Sequence, residues 1–258
     1  MPSVISEDLQ APGMAYGVDP RRKERYSLRQ SRYFEIGQDL ARYGLAALQE
    51  GRKLQVLDIG AGEGTTLRHL EAHAGRAGIE LSGADIKRKP GLYRPEEWKN
   101  FWIDDLMAGL PLVPSEAFDI VVCEQVLEHL IHIDLALAAF NRILRPGGIM
   151  ICGVPIFPPG MDTLRKVFVP MKDRWLPLKK PRGHVQSFSK NSFIQQFCEH
   201  SGLTVEECRG FRILSGGPLR PMENWRWWYS LNRRVGQIVP GLCAEIQVIA
   251  SKPQAKAA

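Results

Sequence analysis

The chain has 258 residues, of which 44% are hydrophobic and 24% charged, and a formal net charge of +6. That length supports a full core and that composition excludes a low-complexity or disordered chain. No apolar run approaches the roughly 18 residues needed to cross a bilayer, and residues 1–10 lack the apolar core of a secretory signal. Five cysteines stand without a Cys-x-x-Cys pair, so the expected setting is reduced and cytoplasmic.

Residues 1–32 are polar, contain Arg and Pro, show no clear period, and read as an N-terminal arm. From Tyr33 to Gln49 apolar residues recur at helical spacing, and Gly51 follows as a stop. Short apolar runs then alternate with helical segments. The runs are Leu54–Ile59, Ile79–Ala84, Asn100–Ile103, Phe118–Cys123 and Ile149–Val154, with helices expected at Thr65–Ala74 and Asp134–Leu144. This alternation predicts βαβ units with a mostly parallel sheet, an α/β domain over residues 33–250. After Val154 the rhythm breaks into a basic, proline-containing stretch, about 155–187. A helix (Lys190–Ser201) and a strand (Leu203–Cys208) restore it. A second irregular stretch, about 210–241, precedes a last strand at Ala244–Ala250, and residues 251–258 read as a disordered tail. The two irregular stretches are expected to form one inserted basic and aromatic cap.

The strongest local signal is Val56-Leu57-Asp58-Ile59-Gly60-Ala61-Gly62-Glu63-Gly64, a buried strand ending in glycines before a helix. Glycines there let the backbone turn sharply and let a ligand approach closely. A dinucleotide fingerprint would need glycine where Thr65 stands. Asp58 would sit poorly beside a pyrophosphate, which wants N–H donors and no nearby anion, but suits a cationic ligand. Asp85 ends the second strand, 21 residues after Gly64, where an acid can accept both ribose hydroxyls of an adenosine.

These segments resemble the class I S-adenosylmethionine-dependent methyltransferases. So do Ile103-Asp104-Asp105-Leu106, Phe118 to Gln125, Leu127-Glu128-His129-Leu130, Leu144-Arg145-Pro146-Gly147-Gly148 and Gly183-His184-Val185. The resemblance implies a Rossmann-like, doubly wound, mostly parallel seven-stranded sheet and S-adenosyl-L-methionine as cofactor. It implies contacts from Asp58, Gly60, Ala61, Gly62, Asp85, Ile86 and Leu106. Asp105 (or Asp104) would face the adenine amino group, and Glu124 would line the methionine end. The late segments resemble the subgroup with many small-molecule and glycan methyltransferases.

Methyl transfer to oxygen needs in-line alignment and a base within hydrogen-bond reach. His129 and His184 are the candidates. Ubiquinone-pathway O-methyltransferases and small-RNA 2′-O-methyltransferases carry Glu-x-x-Glu-His around a divalent ion. Here the first glutamate is Gln125, a poorer ligand for a hard cation, so no metal is expected. From Met161 to Lys190 there are eight Lys or Arg against two Asp, and from Arg209 to Arg234 six Arg against one Glu. Trp175, Trp225, Trp227 and Trp228 fall in the same region. Three readings compete for it: a lid over a phosphorylated or carboxylated small acceptor, a membrane-surface patch for a lipid-linked acceptor, or an RNA groove, ranked last. The function read from sequence is O-methylation of a small molecule, sugar or lipid-linked saccharide. The alternatives are an RNA or protein methyltransferase and a non-catalytic cofactor-binding scaffold.

Overall fold

The apolar runs pair into a seven-stranded sheet in the order β3-β2-β1-β4-β5-β7-β6. The strands are β1 (Leu54–Ile59), β2 (Ile79–Asp85), β3 (Phe101–Ile103), β4 (Phe118–Glu124), β5 (Leu144–Pro155), β6 (Thr204–Phe211) and β7 (Glu245–Ser251). β1 to β5 run parallel, and β7 lies antiparallel between β5 and β6. The order reverses between β1 and β4, and a doubly wound sheet opens its ligand crevice at such a switch point. The computed structural model describes residues 27–73, 76–157, 185–213, 215 and 217–254.

Two apolar cores cover the two faces of this sheet, which is why its central strands are apolar throughout. Leu57, Ile59, Val121 and Cys123 face the core of Phe140, Phe193 and Phe197, on α3 (Asp134–Ile143) and α4 (Lys190–Ser201). Val56, Ile120 and Val122 face the core of Ile36, Leu40, Leu67 and Leu70, on α1 (Ser27–Gln49) and α2 (Thr65–His73). Each of those phenylalanines is fully buried, worth about 2 kcal/mol of transfer free energy apiece. Arg142 of α3 donates to the carbonyls of Gly109, Leu110 and Val113, which pins the β3–β4 connection beside the strand ends.

Three expectations shift. The first helix begins at Ser27, inside the expected arm, rather than near Tyr33. Its first turns carry Arg29, Gln30 and Arg32, which hide the apolar period, although Leu28 is buried against Trp228 and Tyr229. The second stretch read as irregular holds α5 (Arg226–Ile238), preceded by 3-10 turns over Gly217–Asn224. Its pattern was obscured because Asn232 is buried while Trp227, Leu231 and Ile238 are exposed. The tail call also moves. β7 runs through Ser251, and the Lys252 ammonium donates to the carbonyls of Asn141 and Leu144. Residues 158–184, most of the first inserted stretch, and residues 255–258 lie outside the described residues.

Candidate active site

Two neighbouring cavities open where the parallel strands end. The first, of about 280 Å³, is a groove over β1, β2 and β3. Ile59, Gly60, Ala84 and Asp85 form its floor. Asp104 to Met107 with Leu110 form one side, and Val126, His129 and Leu130 the other. The second, of about 460 Å³, is a basin lined by Arg29, Arg32 and Tyr33 of α1, by Thr65 and Gln125, and by Arg212 and Glu245 near the β6–β7 edge.

The glycine loop joins them. Gly60 has φ of +73°, and a Cβ there would lie 2.4 Å from Val126 Cγ2. Only glycine lets the loop lie against Val126 at that angle. On the other side of the seam, Gln125 is left-handed at φ +57°, so consecutive side chains turn apart, Gln125 into the basin and Val126 into the groove. Among the described residues five non-glycine residues have positive φ. Three of them (Leu110, Gln125, Arg212) border these two cavities. Such strain persists where the surroundings over-determine it, and it collects at ligand sites.

Asp85 ties the floor to the loop: its Oδ2 accepts from the Gly62 N–H at 2.9 Å. Asp58 is buried beneath, and burial pushes its carboxyl up to about 7. The Thr66 side chain hydrogen-bonds it and works against that rise, while the charge of Asp85 adds to it. A buried acid whose carboxyl is pushed up in this way, under a glycine loop, is stabilised in its charged form by a nearby cation.

The remaining expected residues divide. Ile86, Asp104, Asp105 and Leu106 all line the groove. Asp104 spends both oxygens on the backbone, accepting from Asp105 N (2.9 Å) and Leu112 N (2.8 Å). Asp105 accepts from Met107 N through one oxygen and caps the turn Leu106–Ala108. Ala61 and Gly62 belong to the loop but not to the lining of either cavity. Glu124, expected at the methionine end, is turned away from both. Its Oε1 lies 3.0 Å from Arg32 Nε, its Oε2 accepts from Gln247 Nε2 at 2.7 Å, and it fills the space above Gly153 that a Cβ would occupy. Burial raises its carboxyl to about 7. Gln125, its neighbour, is the residue that reaches a cavity.

His129 ends the single turn Leu127–His129 and lines the groove, not the basin, with its Nε2 3.8 Å from Glu128 Oε1. His184 lies outside the described residues. The next residues, Val185 and Gln186, donate their backbone N–H groups to the Glu128 carbonyl, so the chain after 184 is stitched to the His129 turn. Among the described residues no three His, Cys, Asp or Glu side chains are grouped to hold a metal ion. Sequence reading did not single out Arg29, Arg32, Tyr33, Arg212 or Glu245. A row of arginines at helical spacing before Tyr33 was the available signal.

The model of the methyltransferase-domain family matches residues 24–208. A curated ubiquinone biosynthesis O-methyltransferase of Cereibacter sphaeroides is 32% identical over 128 residues, 48% of this chain and 50% of that protein. The chain thus spans about half the length of that relative. Among solved structures, the 1,6-didemethyltoxoflavin-N1-methyltransferase of Burkholderia thailandensis, holding S-adenosylhomocysteine, superposes with a TM-score of 0.51 at 16% identity. The match covers 85% of this chain and 79% of that one. The [4+2]-cyclase SpnF superposes with a TM-score of 0.53 at 16% identity, covering 86% and 81%. One fold therefore serves both proteins, and fold alone does not name a reaction. The family model, however, spans most of the chain and all of the loop shared by the two cavities: the chain belongs to the methyltransferase-domain family, among the class I S-adenosylmethionine-dependent methyltransferases.

Proposed function

We propose that the chain transfers the methyl group of S-adenosylmethionine to an oxygen of a small-molecule acceptor held in the basin. The observation that carries this is the seam. The Gly60–Thr65 loop and the Gln125–Val126 pair each contribute to both cavities, so a nucleoside in the groove and an acceptor in the basin would meet across it. The residues fit the cofactor. Gly60 leaves room where a Cβ would clash, Asp85 stands at the ribose position of such folds, and Asp58 can ionise toward a positive charge. When bound, the cofactor supplies an electrophilic methyl carbon. What the protein adds is alignment, exclusion of water and a base.

His129 faces the groove, which favours a cofactor contact for it and leaves His184 as the base for the acceptor oxygen. His129→Ala is then expected to weaken binding of S-adenosylhomocysteine. His184→Ala is expected to lower turnover about 100-fold or more with cofactor affinity retained. Calorimetry and a tritiated-methyl transfer assay over a panel of phenols, catechols and sugars check both. Micromolar binding of NAD with no response to S-adenosylhomocysteine would sink the reading.

A lipid-linked acceptor, reached by a cytoplasmic protein touching a membrane surface, is the second reading. It is favoured by α5 and its flanks, where Trp225, Trp227, Leu231 and Ile238 are exposed. No helix among the described residues is long and apolar enough to cross a membrane. Flotation with anionic liposomes tests this reading; flotation unchanged by Trp227→Ala would remove that surface from it.

A further inference from the structure

The basin wall is cationic in a way that the alignment of a neutral acceptor does not require. Among the described residues, three guanidiniums, those of Arg29, Arg32 and Arg212, and one carboxylate, Glu245, line the cavity. Glu245 is shared: it pairs with Arg32 Nη1 at 2.9 Å and with Arg212 Nη1 at a shorter distance. Among the described residues, the acids paired with Arg32 and Arg29 from behind, Glu124 and Glu223, do not line the cavity. Glu124, which pairs with Arg32, is 2% exposed, and Glu223, 3.8 Å from Arg29, is 0% exposed. Arg29 itself is 44% exposed at the rim. Its guanidinium is held below the ordinary arginine value, first by partial burial and then by repulsion from Arg212. The two cations therefore feel one another across the opening.

The backbone supports the same arrangement. Arg212 stands just past β6 with φ of +65°, a conformation that costs a non-glycine residue roughly 1–2 kcal/mol. Its Nε donates to Ser215 Oγ at 3.0 Å, and its carbonyl accepts from Ala244 N at 3.2 Å. These contacts hold the strained turn and carry the guanidinium into the basin. Of the five guanidinium donors, one Nε–H is spent on Ser215 and one Nη1–H on Glu245, and the others suit the oxygens of a carboxylate or a phosphate.

We propose that the basin selects an acceptor bearing an oxyanion, a carboxylate or a phosphate ester, and that Arg29 and Arg212 bind it. Arg32, held between Glu124 and Glu245, completes the wall without being needed as the anion's partner. This rests on the reading that the basin is the acceptor site. The oxyanion sets which small molecules enter, and the methyl-accepting oxygen lies at its other end, toward Gln125 and the seam.

The test titrates benzoate, phenyl phosphate and the neutral isostere benzamide into the full chain, with and without saturating S-adenosylhomocysteine. Calorimetry and thermal shift are the readouts. One of the two anions is expected to bind at least about tenfold more tightly than benzamide, and which one does names the group. Arg29→Gln and Arg212→Gln should each weaken that anion about tenfold or more while leaving S-adenosylhomocysteine affinity within about twofold. Equal binding of benzamide and the anions overturns the proposal. So does a loss of S-adenosylhomocysteine affinity in the arginine variants that matches the loss of anion binding, because the arginines would then serve the cofactor's own carboxylate. Arg29→Lys, which keeps the charge and loses the fork, controls for folding: intermediate anion affinity supports the assignment. Failure of S-adenosylhomocysteine to bind at all strikes the proposed function instead, and the titrations of the free chain still decide the anion.

Discussion

The groove and the basin are built from different materials. The groove is made by strand ends and the tight turns that follow them, with Gly60, Asp85 and the Asp104–Leu106 turn fixed by main-chain geometry and main-chain hydrogen bonds. The basin is made mostly by long side chains from elements distant in sequence: α1 at one wall, the end of β6 and start of β7 at the other. A site written into the backbone tolerates little substitution but fixes one ligand. A site written in arginines can be re-aimed residue by residue, because side chains change without moving the sheet. Cofactor and acceptor specificity should therefore separate cleanly under mutation.

The largest effect should come from adding a single methyl group on the groove side. Gly60→Ala places a Cβ 2.4 Å from Val126 Cγ2 and forces alanine into φ +73°. Together these should lower S-adenosylhomocysteine affinity by about 30-fold or more, roughly 2 kcal/mol. The double variant Gly60→Ala/Val126→Ala separates the two causes. Partial recovery by calorimetry assigns the loss to the collision, and no recovery assigns it to the left-handed backbone. Anion binding in the basin should be nearly unchanged in both, and an equal loss there would break the separation of the two sites.

A smaller effect is expected at Asp58, and it is one of protons. Burial pushes its carboxyl up to about 7, so near neutral pH its proton is readily exchanged for a charge. A cationic ligand favours the ionised form, so cofactor binding near pH 7 should release a fraction of a proton and tighten as pH rises through that region. Calorimetry in buffers of different ionisation enthalpy measures this directly. Asp58→Asn should abolish the release and weaken binding several-fold. Identical proton counts in the two proteins would mean that Asp58 does not sense the ligand.

The same contrast explains what could be read from the sequence. The sheet and the groove were legible because strand burial and turn glycines leave local signals: apolar runs, Gly60, and an acid at each strand end. Gly60, Asp85 and Asp105 all stand at strand ends and line the groove. The basin was not legible, because its walls come from residues 29–33, 125, 212 and 245, which only tertiary packing brings together. Arg29 and Arg32 lie in turns whose polar faces obscure the helical period, and Arg212 depends on a strained turn with no glycine to announce it. Glu124 stands outside both cavities for a related reason. Its position at the end of β4 is right for a ligand contact, but the absence of a side chain at Gly153 and the amide of Gln247 draw its carboxylate the other way.

That position of Glu124 makes the last prediction, one with little effect on ligand affinity and a clear effect on stability. Burial raises its carboxyl from the ordinary 4.5 to about 7 in the folded chain, with Arg32 and Gln247 opposing the rise and Glu245 and Glu128 adding to it. A folded-state value above the unfolded one favours folding fully below about 4.5, and that contribution is lost as pH rises through 7. Glu124→Gln removes the titration while keeping shape and the contact above Gly153. The melting temperature of the wild type relative to this variant should therefore fall between about pH 5 and pH 7.5 and level off above. The expected change is on the order of 1–3 kcal/mol in stability. A constant difference across that range would show that Glu124 is ionised throughout and that Arg32 fully compensates it. The buried pair would then be a fixed strut between α1 and the sheet, and the cationic surplus of the basin would be smaller by the charge that Glu124 cancels.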